Sequence, residues 1–127
     1  MKVLTIKEPW ASLILNKYKE YEFRTWKTNY RGKVLIHSSK TIDKKELGTF
    51  KDLNINYSNG EIIAIAEITD CILVDEKFDK ELREKNKLVY RHNHINNYAW
   101  KLENIKPVKK IKINGKLGLW NYEGEIE

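Results

Sequence analysis

The residues of this sequence best suited to chemistry lie in one hexapeptide, Lys19-Glu20-Tyr21-Glu22-Phe23-Arg24. From Tyr21 to Trp26 polarity alternates, the mark of a strand, and a period of two puts Glu22, Arg24 and Trp26 on one face. Lys19 emerges from the turn just before that strand, so an ammonium, a carboxylate and a guanidinium can converge at one junction. Two cations kept in order by acids bind a phosphate or a carbonyl edge. A second acid is expected from Glu67. Within the long β signal from Glu61 to Val74, Ile63, Ile65 and Glu67 share parity, so a carboxylate interrupts an apolar face and needs a partner. The competing reading of the hexapeptide is an exposed ion-pair cluster.

The other chemistry-bearing residues are weaker. No P-loop, dinucleotide fingerprint, paired metal-ligand spacing or nucleophile elbow is present. His92 and His94 flank Asn93 and would bind a metal together on a strand, but without a third ligand an exposed loop is the favoured reading. No metal and no cofactor are expected. His37, followed by Ser38 and Ser39, looks like a base beside hydroxyls, yet neighbours on a strand point to opposite faces. Cys71 sits in the apolar run ITDCILV and reads as a packed thiol in a reducing compartment. Trp10, Trp26, Tyr98 and Trp100 can stack a base. Trp26 and Trp100 are favoured for the cleft, while Trp10 and Trp120 lie in apolar periodic segments that suit a core.

These residues need elements to position them. Lys2 to Ile6 reads as a strand, and Pro9 then opens a short amphipathic helix running to Asn16. The Tyr21–Trp26 strand is expected to pair hairpin-fashion with Val34–His37 through the turn at Asn29–Lys33. A second short helix fits Ile42 to Leu53, Ser58-Asn59-Gly60 turns into the central strand, and Phe78 to Leu88 reads as a helix or ordered loop. Tyr98 to Ile113 is extended, with Pro107 marking a bulge or sheet edge. Gly115 to Trp120 turns into a closing strand. This is an α+β, mainly β chain: about six strands and two or three short helices in a partly closed barrel.

At 127 residues the chain suits one domain, 1–127, able to bury a core without staples. No apolar run approaches the roughly 20 residues of a membrane span, and no secretory signal opens the chain, so a cytoplasmic location is expected. The net charge of +6 is uneven. Residues 17–40 carry +5 and residues 101–116 another +5, while the remainder carries −4. Two cationic stretches brought together would form an anionic-ligand footprint.

Several segments together resemble the activating signal cointegrator homology (ASCH) family. They are Pro9-Trp10-Ala11, the spacing Lys19-x-x-Glu22-x-Arg24, Tyr30-Arg31-Gly32 before a strand ending His37-Ser38, GEIIAIAEI, Tyr98-Ala99-Trp100 with Glu103-Asn104, and Gly115-Lys116-Leu117-Gly118-Leu119-Trp120. The family signature is Gly-x-Lys-x-x-Glu-x-Arg, and Lys17 stands here in place of its glycine. The resemblance implies a fold like that of the pseudouridine synthase and archaeosine transglycosylase (PUA) RNA-binding domains, with the signature lining a cleft that takes single-stranded RNA, a nucleotide or a modified nucleoside. The ligand-binding set so implied is Lys19, Glu22, Arg24, Thr25, Trp26, His37, Ser38, Glu67, Tyr98 and Trp100. Some relatives hydrolyse N4-acetylcytidine with a Lys at position 19, a Thr nucleophile at position 22 and a Glu matched to Glu67, and nuclease activity also occurs in the family. The alternative function is therefore a metal-independent amidohydrolase or ribonuclease with Lys19, Glu22 and Glu67 as catalytic residues. Glu22 cannot supply the Thr hydroxyl, so Thr25 or a water activated by Glu22 or Glu67 would replace it. A monomer is expected.

Overall fold

A computed structural model describes residues 1–127. Its strands are β1 (Lys2–Glu8), β2 (Tyr21–Arg24), β3 (Gly32–Ile42), β4 (Glu61–Leu73), β5 (Tyr98–Lys112) and β6 (Leu119–Asn121), and its helices α1 (Trp10–Leu15), α2 (Lys44–Thr49) and α3 (Glu76–Lys85). The strands form one sheet in the order β2-β5-β4-β3-β1-β6. β1 and β3 run parallel, and every other pair is antiparallel. The segment Phe78 to Leu88 is therefore helical through Lys85, with the Asp75 side chain capping α3 by accepting from the Phe78 amide at 2.8 Å. No helix is long and apolar enough to cross a membrane.

The expected pairing of β2 with β3 does not form. Both edges of β3 are taken, by β1 and β4, while β2 pairs with β5 from Tyr21 opposite Lys101 to Arg24 opposite Tyr98. The sheet is also not closed: β2 and β6 are its two edges and share no ladder. It curls nonetheless: Arg24 of β2 donates to the carbonyl oxygen of Thr5 in β1, across the three strands that separate them in the sheet. β4 and β5 form a long ribbon whose register shifts three times, at Ile62/Ala64, Ile65/Glu67 and Ile68/Asp70. Bulges of this kind bend and twist a ribbon.

Helix α1 stands between two cores. Ala11 and Ile14 pack with Leu4, Ile36 and Trp100, whereas Leu13 packs with Phe50, Leu82 and Tyr90. Six residues are too few for a stable isolated helix, so tertiary contacts must hold it. One is the buried Glu8 carboxylate, which accepts from the amide and hydroxyl of Ser12 and, at 2.8 Å, from the Ser58 amide. At its end the helix closes in a Schellman turn: the Tyr18 amide bonds the Leu13 carbonyl at 2.9 Å and the Lys17 amide bonds that of Ile14 at 3.0 Å. Lys17 takes the left-handed conformation, φ 65°. This is the position at which the family signature carries glycine, and the turn is made here by a lysine.

Candidate functional site

The Schellman turn delivers Lys19 inward. Its neighbour Glu20 is pinned on both sides, its amide donating to the Tyr90 hydroxyl at 2.8 Å and its carbonyl accepting from the Leu102 amide at 2.8 Å. Burial pushes the Tyr90 phenol up to about 12. From this anchored backbone the Lys19 side chain enters a cavity of about 650 Å³ and is only 4% exposed. Its Nζ donates to Glu22 Oε1 at 3.1 Å and lies 5.1 Å from the centre of the Trp10 ring and 5.0 Å from that of Phe23. Arg24 donates to the second oxygen of Glu22 at 3.1 Å and, with the same nitrogen, to Thr5 O at 2.7 Å. One carboxylate thus orders two cations, leaving the trio with a net positive charge.

Burial lowers the Lys19 amine below the ordinary lysine value. The charge and hydrogen bond of Glu22 oppose that shift, and Arg24 adds to it. His94 also packs on Phe23, stacked flat with ring centres 3.6 Å apart and planes at 3°. Burial, with help from the Lys19 charge, pushes His94 down to about 4, so it is a neutral imidazole at physiological pH. Its amide is held by Asp79 Oδ1 at 3.2 Å. The far wall is acidic: Glu46, 4% exposed, takes Arg91 at 2.7 Å and His92 at 2.9 Å on one oxygen. The rest of the lining comes from Lys7, Ser39, Thr41, Asp43, Val89 and the 116–118 segment. The arrangement can bind a planar polar ligand between charged donors, a neutral imidazole and a buried carboxylate, a chemistry suited to a nucleobase edge.

The structure brings Lys19, Glu22 and Arg24 together. It does not bring Glu67 to them. Glu67 lies half-buried on β4 opposite Lys33 and Glu103, outside the cavity lining. A bulge of β4 against β3 explains the difference: Ile62 to Ala64 spans the single step from His37 to Ile36, so the extra residue at Ile63 resets the alternation from which the orientation of Glu67 was inferred. Thr25 and Trp26 are exposed beyond the end of β2, and neither lines the cavity. Trp100 is wholly buried beneath Trp26, ring centres 4.6 Å apart, and its indole N–H donates to the Trp26 carbonyl at 3.3 Å. Tyr98 packs on the same core. Ser38 is buried and donates to the Glu61 carbonyl at 3.2 Å. His37 is buried at an adjoining hollow. Trp120 is in a core, whereas Trp10, expected there too, is half-buried and lines the cavity.

Sequence reasoning missed His92, His94 and Glu46. The two histidines do lie on a loop, but it folds back over Phe23 and α2, a long-range contact with no local periodicity to announce it. The available signal was the pair of histidines itself, which a metal template alone could not use.

The architecture is that of a PUA-like α+β domain, a curled mixed sheet with a helix-to-strand junction opening on a charged cavity. The ASCH domain family model matches residues 4–115, and the chain belongs to that family. The crystal structure of ASCH from Zymomonas mobilis is similar with a TM-score of 0.57 at 13% identity, covering 87% of this chain and 72% of that one. A single-residue mutant of the same Zymomonas mobilis protein gives a TM-score of 0.53 at 14% identity, over 87% and 74% of the two chains. At such identities the likeness establishes the fold. No curated protein matches the chain.

Proposed function

We propose that this chain binds RNA or a modified nucleotide, taking one base into the cavity built on Lys19, Glu22 and Arg24. The observation that carries the reading is the Lys19 ammonium, buried between two aromatic rings with a single carboxylate partner. Glu22 offsets part of the cost of burying this charge, and it takes only one of the three ammonium donors, which leaves the others for a ligand. Lys19 and Arg24 supply donors to carbonyl or phosphate oxygens, Glu46 accepts from an amine, and Trp10 supplies aromatic surface. One aromatic contact and two charge-assisted bonds suit an affinity of about micromolar strength. The test is a titration of short single-stranded RNAs against the wild type and Lys19→Ala at several salt concentrations. Salt-dependent binding lost in the variant supports the reading; binding that survives Lys19→Ala overturns it.

A second reading, hydrolysis of N4-acetylcytidine or RNA, is favoured by the lowered pKa of Lys19, which brings the amine nearer to use as a base or proton relay. With Glu67 outside the cavity, water activation falls to Glu22, or to Asp43 or Glu46 across the cavity. Acetate and cytidine released from N4-acetylcytidine, or shortened RNA, in amounts abolished by Lys19→Ala and Glu22→Gln, would establish turnover; intact substrate after long incubation would exclude it.

A further inference from the structure

A second compartment of about 430 Å³ adjoins the first. The two share Thr5, Ser39, Lys116 and Leu117, so they are halves of one groove. Their charge differs. The first compartment sets cations against Glu22, Asp43 and Glu46, whereas the second holds Lys40 and Lys116 and no carboxylate.

Neither lysine is merely solvated. The stem of Lys40 lies along Gly60, where a Cβ would come within 3.0 Å of its Cγ, and its Nζ donates to Asn114 Oδ1 at 2.7 Å. The Nζ of Lys116 sits 5.8 Å from the centre of the Trp120 ring. The floor is His37, 1% exposed, whose Nε2 lies 2.6 Å from the Ile113 carbonyl. A carbonyl only accepts, so Nε2 carries a proton, and the other ring nitrogen is Nδ1. That nitrogen is buried and has no partner. Gly115 packs over the same ring so closely that a Cβ would lie 2.9 Å from Cε1 and 2.8 Å from Thr5 Oγ1. His37 and Gly115 together fix the segment carrying Asn114 and Lys116.

A hollow lined by two braced ammonium groups, with no acid, suits an anion. We propose that this compartment is a phosphate subsite: Lys40 and Lys116 bind phosphate oxygens while the base occupies the neighbouring cavity. The ligand is then a nucleotide or an RNA strand in preference to a free nucleoside. The inference rests on the nucleotide reading above and adds the phosphate to it.

The experiment compares, by calorimetry, the four common nucleosides and N4-acetylcytidine with their 3′- and 5′-monophosphates and with inorganic phosphate. It uses the wild type and Lys40→Ala, a residue of the second compartment alone. At low salt a monophosphate is expected to bind at least about 10-fold tighter than its nucleoside, as charge-assisted bonds allow. Lys40→Ala should remove most of that advantage and leave nucleoside affinity unchanged. Equal affinity for nucleoside and nucleotide, or a Lys40→Ala variant that keeps the whole difference, overturns the subsite while the base reading stands. Lys40-dependent binding of phosphate and of every nucleotide alike, with no nucleoside bound, supports the subsite and overturns the base reading. No binding by any probe overturns both.

Discussion

Arg24 on the first strand of the sheet and Thr5 on the fifth are joined by a 2.7 Å hydrogen bond from guanidinium to main-chain carbonyl. The same nitrogen also reaches Glu22 at 3.1 Å, so one side chain both curls the sheet and orders the acid that holds Lys19. A lysine side chain is one bond shorter, so its ammonium does not reach the point from which this nitrogen makes both contacts. Arg24→Lys is expected to lower stability by about 1–2 kcal/mol and to weaken RNA binding, read by urea denaturation and by calorimetry. Unchanged stability would show that the Thr5 contact does not hold the curl.

Lys17 occupies a left-handed position, φ 65°, at the end of α1. A side chain there strains the backbone and glycine does not. Lys17→Gly is expected to raise stability by about 0.5–1 kcal/mol, measured as a shift in urea midpoint with an unchanged slope. A loss of stability would mean that the lysine side chain is holding something the turn needs.

Two tryptophans separate packing from ligand contact. Trp100 is fully buried in the core, while Trp10 lines the cavity. Trp100→Ala is expected to cost about 3–5 kcal/mol of stability. Trp10→Ala should cost markedly less in urea denaturation and yet reduce RNA affinity by about 10-fold or more. The opposite ranking would return the base to the Trp26 side of the molecule.

His94 makes stability depend on pH. Burial holds its folded value at about 4, below the ordinary 6.5. The unfolded chain therefore takes up the proton first, so stability is full above about pH 6.5 and falls as the pH drops toward 4. With solvent screening of a partly exposed ring allowed for, the loss is on the order of 1–2 kcal/mol. His94→Phe keeps a flat ring beside Phe23 and removes the titration. The difference between wild type and variant in urea midpoint should thus change between pH 7 and pH 4.5; a constant difference would show that His94 is already solvated.

Much of the fold was legible because its elements announce themselves locally. Pro9 and the Trp10, Leu13, Ile14 spacing marked α1, and the apolar run after Gly60 marked β4. Parity along a short unbulged strand put Glu22 and Arg24 on one face, and the structure brings them to one cavity. The same parity misled at Glu67, since a bulge between Ile62 and Ala64, where β4 faces β3, puts Ile63 out of step with the residues after it. Strand pairing was less legible still: a short turn between β2 and β3 suggested a hairpin, yet β2 finds its partner more than 70 residues away at β5. The loop bearing His92 and His94 reaches the cavity through contacts to Glu46, Asp79 and Phe23, none of which is close in sequence.

The placement of Trp10 has an optical consequence. Of the four tryptophans, Trp100 and Trp120 are sealed in cores and Trp26 lies outside the cavity, leaving Trp10 alone among the indoles in its wall. A guest that displaces solvent or draws the Lys19 charge away from that ring alters its emission directly. The molecule therefore carries an intrinsic fluorophore for occupancy, and changing the other three indoles to phenylalanine would isolate its signal without a label.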